Sequence, residues 1–165
     1  MTALAREGKA IVDISGGLHA SEIAGAQHTP LLAYQLLSKP NDPEVRDILD
    51  NVILVLWPSI NPDGQDIVVN WCRAQYAGTS TGPMELYQKY IGHDNNRDFY
   101  LSSQKETTNI NRQLYLEWFP QVVYNHHQTG PAGTVIFVPP FRDPFNYNYD
   151  PLVIVGVQTL GTAIQ

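Results

Sequence analysis

Cysteine is almost absent. Cys72 is the only one in 165 residues, so no disulfide can form within the chain, and cysteine usage leaves the redox compartment undecided. No run of about 18 apolar residues occurs, so the sequence holds no membrane-spanning helix. Positive charge is also scarce. Ten Lys and Arg face sixteen Asp and Glu, a net charge of −6, which argues against a general nucleic-acid binder, because phosphate contacts need clustered basic side chains. There is no internal repeat and no low-complexity tract. The stretch Met1 to Gly8 lacks the apolar centre of a signal peptide. It reads as the last turns of a helix stopped by Gly8, so the chain is expected to start mid-domain. What is present is a globular composition, 43% hydrophobic and 16% charged, at a length that suits one domain.

The most informative stretch is Gly16-Gly17-Leu18-His19-Ala20-Ser21-Glu22. Before it, Ala10 to Ile14 is an apolar run that reads as a buried strand. After it, Ile23 to Ser38 reads as a helix, with Pro30 expected to kink or break it near Thr29. His19 and Glu22 therefore sit at a strand-to-helix corner, where an imidazole and a carboxylate three residues apart can turn toward one point. Such a pair needs a third ligand to hold zinc with one open position. Alone it is a weak signal, because an acidic residue at a helix start also complements the helix dipole.

A third donor is found downstream. Pro120 to Tyr124 reads as a second apolar strand, and it leads into Asn125-His126-His127-Gln128-Thr129-Gly130. In open α/β sheets, sites form outside the carboxyl ends of strands, so a histidine at this second strand end suits the third position. The spacing leaves His126 and His127 both open. His28, inside the first helix, reads more simply as a polar helix residue.

The rest alternates strand and helix, which predicts an α/β layered sheet, mostly parallel or mixed and flanked by helices. Leu31, Leu32, Leu36 and Leu37 are expected to face that sheet. Asp42 and Pro43 open a short helix to about Asp50. Val52 to Trp57 is a continuous apolar run expected to form a central strand, buried on both faces. Asn61-Pro62-Asp63-Gly64 reads as a turn. Gln65 to Tyr90 reads as a long loop containing Arg73, followed by a helix from about Met84 to Tyr90. Ile91 to Phe99 reads as a polar loop. Glu106 to Trp118 is predicted helical, with Pro120 after its end. Thr134 to Val138 is a further expected strand. Pro139 to Asp150 is an aromatic, proline-rich loop, and Pro151 opens a final helix to Gln165.

Assembled in order, these residues resemble the zinc carboxypeptidase family, the carboxypeptidase A-like metallopeptidases. The motifs that carry the resemblance are the His19/Glu22 pair, Asn61-Pro62-Asp63-Gly64, Asp94-Asn95-Asn96-Arg97 and the later His127. Each is weak singly, and the ordered set is strong. The resemblance implies one zinc ion held by His19, Glu22 and His127, with His126 second in rank because strand alternation turns it to the opposite face. Asn125 stands where the family usually has an acidic residue, which alters support of the ligand. Asn96 and Arg97 would receive the terminal carboxylate of a peptide or protein substrate, the arginine in bidentate fashion. Arg73 resembles the arginine that stabilises the developing oxyanion, at a shorter spacing than the family leads one to expect.

The family's general base is a glutamate well beyond the third ligand. No glutamate follows Glu117 here. Residues 1–165 are accordingly expected to be a partial catalytic domain, truncated at both ends and inactive by itself. Two alternatives share the same residues: a zinc amidohydrolase of the N-acyl amino-acid deacylase type, and a non-catalytic zinc- or peptide-binding module. Compartment, oligomeric state and substrate side-chain preference carry no signal in the sequence.

Overall fold

The computed structural model describes residues 7–79, 82–85, 87–128, 132, 138–139 and 146–165. The expected strand at 134–138 falls largely outside the described residues, as do residues 140–145 of the aromatic loop and most of the expected N-terminal helix end. The chain divides into two compact units, Met1–His127 and Gln128–Gln165.

The first unit is an α/β layer built on three parallel strands in the order β2-β1-β3: β1 is Ala10–Ser15, β2 is Val52–Trp57 and β3 is Val122–Asn125. Ser15 pairs with Trp57 on one side and with Asn125 on the other, so all three carboxyl ends are level. β1, not β2, is central among the described strands. Ala10–Ser15 takes that place because two strands pair with it, and β2 is only partly buried despite its unbroken apolar sequence.

Helix α1, Ile23–Ser38, follows β1 and runs unbroken through Pro30. A proline removes one N–H from the ladder; here the buried hydroxyl of Thr29 bonds back to the Gly25 carbonyl at 3.3 Å in the same turn. Of the four leucines expected to face the sheet, Leu36 is buried, whereas Leu31 and Leu37 are exposed. Helix α2, Pro43–Asn51, starts as its sequence dictates: the Asp42 carboxylate accepts from the Glu44 and Val45 N–H groups and Pro43 takes the first turn.

The segment after β2 departs from expectation. Pro62–Tyr76 is a helix, α3, where a long loop was predicted. The Asn61 side chain accepts from the Gly64 N–H at 2.9 Å, and Pro62 occupies the first turn. Asn-Pro-Asp-Gly thus reads as a cap, a helix-opening proline and an acidic first turn rather than as a free turn. The helix predicted for 84–90 does not form in the described residues of that stretch.

Asn95–Arg97 is a single 3-10 turn, and Lys105–Arg112 is helix α4, which continues as a π-helical turn over Gln113–Trp118. Phe119 ends it in the left-handed region (φ 48°), just before Pro120. The core lies between this helix and the loops that leave the strands: Leu18, Ile60, Ile110 and Leu114 cluster together, with Trp57 and Phe99 packed against them. The core thus sits directly under the carboxyl ends of the strands. The second unit contains helix α5, Pro151–Ile164, capped by Asp150 as the Asp-Pro pair predicts. No described helix is long and apolar enough to cross a membrane.

Candidate metal centre

The loop leaving β1 is fastened to the loop leaving β2. Gly16 donates its N–H to the Trp57 carbonyl, Ile60 donates to Gly16, and Asn61 donates to Gly17. Gly17 adopts φ +67°, a conformation that side chains with a Cβ disfavour. At Gly16 a Cβ would lie 2.3 Å from the Gly25 carbonyl oxygen. Only glycine there lets α1 approach β1 this closely, and that approach sets its first residue beside the strand end. The third strand joins through the His126 N–H, which donates to the Ser15 carbonyl at 2.8 Å.

This framework brings His19, Glu22 and His127 together. One donor atom from each lies within 4.8 Å of the others. Nδ1 of His19 is 3.0 Å from Glu22 Oε1, and Nδ1 of His127 is 3.0 Å from Glu22 Oε2. The two imidazole centroids are 4.9 Å apart. Glu22 is the cap residue of α1, yet its carboxylate makes no capping bond; it bridges the two histidines instead. The Glu22 N–H donates to the His19 carbonyl at 2.9 Å, and this tight turn puts both side chains on one side.

His126 goes elsewhere. Its Nδ1 is 3.3 Å from the Tyr124 hydroxyl, and its ring lies 5.3 Å from that of His28. Burial, followed by the nearby charges of His28 and His127, pulls its pKa down, against the opposing pull of Glu22.

The other face of His19 is held by Asp94. Oδ1 of Asp94 is 2.9 Å from His19 Nε2 and also accepts from the Asn96 N–H at 2.8 Å. Burial pushes the Asp94 carboxyl up, but the His19 and Asn96 hydrogen bonds and the charges of His19 and Arg97 outweigh it, so its pKa falls below the usual carboxylate value. The turn that carries Asp94 places Asn96 and Arg97 next in line. Arg97 is exposed, and its guanidinium donates to the Asn96 carbonyl at 3.0 Å. Arg73 is exposed in the last turn of α3.

Sequence reasoning missed four contacts. Asp94 was read only as lying beside the Asn96/Arg97 clamp and not as a partner of His19, although a metal-binding histidine commonly gives its second nitrogen to a carboxylate. Asn61 and Asn95, both fully buried, each donate an amide N–H to the Leu18 carbonyl. The Tyr87 ring stands 5.7 Å from that of His19, and no spacing rule marks it.

The donors fit zinc: two imidazoles and a carboxylate converge on one point at a strand end, leaving room for a fourth ligand. A parallel α/β sheet with this donor set at its carboxyl ends has the architecture of a mononuclear zinc hydrolase. The chain belongs to the zinc carboxypeptidase family, whose family model matches residues 2–160. No match is found among curated proteins.

Proposed function

We propose that this chain carries the metal-binding and carboxylate-binding parts of a zinc metallocarboxypeptidase site. The observation that carries the reading is the convergence of His19, Glu22 and His127 in a chain of this family. His19 and His127 present Nδ1, and Glu22 presents its carboxylate between them. Asp94 fixes the ring of His19 by accepting from its other nitrogen, which sets the tautomer. When bound, zinc lowers the pKa of a coordinated water and polarises a scissile carbonyl. Arg97 offers a planar, always charged fork suited to a terminal carboxylate, and Asn96 offers an amide beside it. Arg73, exposed in the last turn of α3, is the cation proposed to stabilise the developing oxyanion.

The proton of the attacking water needs a base. The nearest described carboxylates, Glu22 and Asp94, both face imidazoles, so neither is assigned that role.

The test is binding of a short peptide to the zinc-loaded chain, compared with the same peptide amidated at its C-terminus. The free carboxylate is expected to bind at least tenfold more tightly, a difference of about 1.4 kcal/mol, and Arg97→Lys is expected to remove most of the preference. Equal binding of both peptides overturns the carboxypeptidase reading. Tighter binding of an N-acyl amino acid than of any peptide favours the deacylase.

A further inference from the structure

The peptide plane that leads into His19 is gripped from two sides. The Leu18 carbonyl accepts from Asn61 Nδ2 at 3.3 Å and from Asn95 Nδ2 at 3.0 Å. Both asparagines are fully buried. They come from different parts of the chain, 43 and 77 residues away. We propose that Asn61 and Asn95 are positioning residues for the metal centre, acting through the Leu18 carbonyl to fix the backbone of His19. The inference rests on the zinc reading above.

A peptide unit is rigid and planar. An oxygen held by two donors therefore fixes the nitrogen of the next residue as well. The plane after His19 is held too, since its carbonyl accepts from the Glu22 N–H. With both flanking planes pinned, the direction of the His19 Cα–Cβ bond is set before any metal arrives. The ring is then oriented by Asp94 at Nε2. Asp94 and Asn95 are consecutive, so one 3-10 turn controls His19 at both its side chain and its backbone.

The cost of this arrangement argues that it is selected for more than packing. Asn95 Oδ1 is buried without a hydrogen-bond partner, and a half-satisfied buried amide is unfavourable. An aliphatic side chain would avoid that cost and lose only the contact with Leu18. Asn61 is used more fully. Its amide nitrogen also reaches the Tyr87 carbonyl at 2.9 Å, which ties the segment carrying the ring beside His19 to the same hub. Gly64 leaves room for it, because a Cβ there would lie 2.5 Å from Asn61 Nδ2.

Asn111 supplies a matched control. Its Nδ2 donates to the Phe99 carbonyl and the Ser102 hydroxyl, and its Oδ1 is likewise buried without a partner. It does the same kind of work in the same region without touching Leu18. The experiment measures zinc affinity by competition with a chromophoric chelator, the visible spectrum of the cobalt-loaded protein, and melting of the metal-free protein. The set is wild type, Asn95→Ala, Asn95→Ser, Asn61→Ser and Asn111→Ala. Serine at position 61 keeps a helix-capping oxygen and removes the amide donor.

The expected result is a loss of zinc affinity of about tenfold or more in the Asn95 and Asn61 variants, within the range seen when support of a metal ligand is removed, with a changed cobalt spectrum. Asn111→Ala is expected to lower the melting temperature while leaving both metal readouts as in wild type. The milder Asn95→Ser keeps the comparison available if the alanine variant does not fold. Wild-type affinity in Asn95→Ser and Asn61→Ser overturns the inference, as does an equal loss in Asn111→Ala. Absence of zinc binding by the wild type overturns the metal reading itself, and the inference with it.

Discussion

Oδ1 of Asp94 sits 2.9 Å from Nε2 of His19, on the opposite side of the ring from the Nδ1 atom that faces Glu22 at 3.0 Å. The imidazole is thus held at both nitrogens by carboxylates that come from separate loops. In the proposed site this division gives Nδ1 to the metal and leaves the other nitrogen to set ring direction. Asp94→Asn keeps the shape and removes the charge. Zinc affinity is expected to fall by roughly 10- to 100-fold, read by chelator competition, with the metal-free protein still folded. Unchanged affinity would show that the Asp94 contact does not support the ligand.

Metal analysis of the folded protein is expected to give one zinc per chain, lost on His19→Ala and on His127→Ala. His126→Ala is expected to retain it, because His126 faces Tyr124 and His28 rather than Glu22. Loss of zinc from His126→Ala with retention in His127→Ala reverses the choice of third ligand.

Acid sensitivity is expected from Asp98. Its carboxylate is fully buried. Burial alone would raise its pKa, but the Ser103 and Thr107 hydroxyls and the Gln104 and Ser103 backbone N–H groups hold it down at about 2. A depressed carboxylate adds stability above its unfolded pKa and loses it as the pH falls toward the folded value. Stability is therefore expected to decline from about pH 4 toward pH 2, read by urea titration at each pH. Asp98→Asn is expected to be less stable at pH 7 and to show a shallower decline in acid. An equally steep decline in the variant would place the sensitivity elsewhere.

The zinc-loaded chain of 165 residues is expected not to release C-terminal amino acids at an enzymatic rate. A positioned acid or base contributes on the order of 10² to 10⁴ in rate, and the described carboxylates nearest the cluster are engaged with imidazoles. Chromatographic detection of freed amino acids from peptides with open C-termini is the measurement. Release that stops on chelation and on Glu22→Ala would mean a base has been overlooked, and Asp150 and Asp143 are the first positions to change, though Asp143 lies outside the described residues.

The mostly parallel sheet and the meeting of His19 and Glu22 with a histidine of the second strand end were legible because strand ends in α/β proteins converge, while the choice of His127 over His126 came with the family resemblance. Helix α3 was not legible. Its sequence, Pro62 to Tyr76, contains Gly64 and a mixture of polar and apolar residues with no clean stripe, and the turn signals in Asn-Pro-Asp-Gly hid a capping pattern made of the same residue types. Exposure of Leu31 and Leu37 was equally hidden, since periodicity says that a face is apolar without saying what covers it. The grip of Asn61 and Asn95 on Leu18 joins distant segments through side-chain-to-backbone bonds, which leave no spacing signature.

Glu22 and His127 meet across 105 residues of chain. Bringing two points that far apart together is entropically costly in an unfolded polypeptide, though the cost grows only slowly with length. An ion gripping both residues would act as a clasp on almost the whole first unit, and its binding energy would be drawn on for folding as well as chemistry. Metal supply would then govern how long the chain survives proteases, and a chelator would act as a mild denaturant. The small apolar core beneath the strand ends would make that dependence stronger, because it adds little to the hydrogen bonds that pair the first strand with the last.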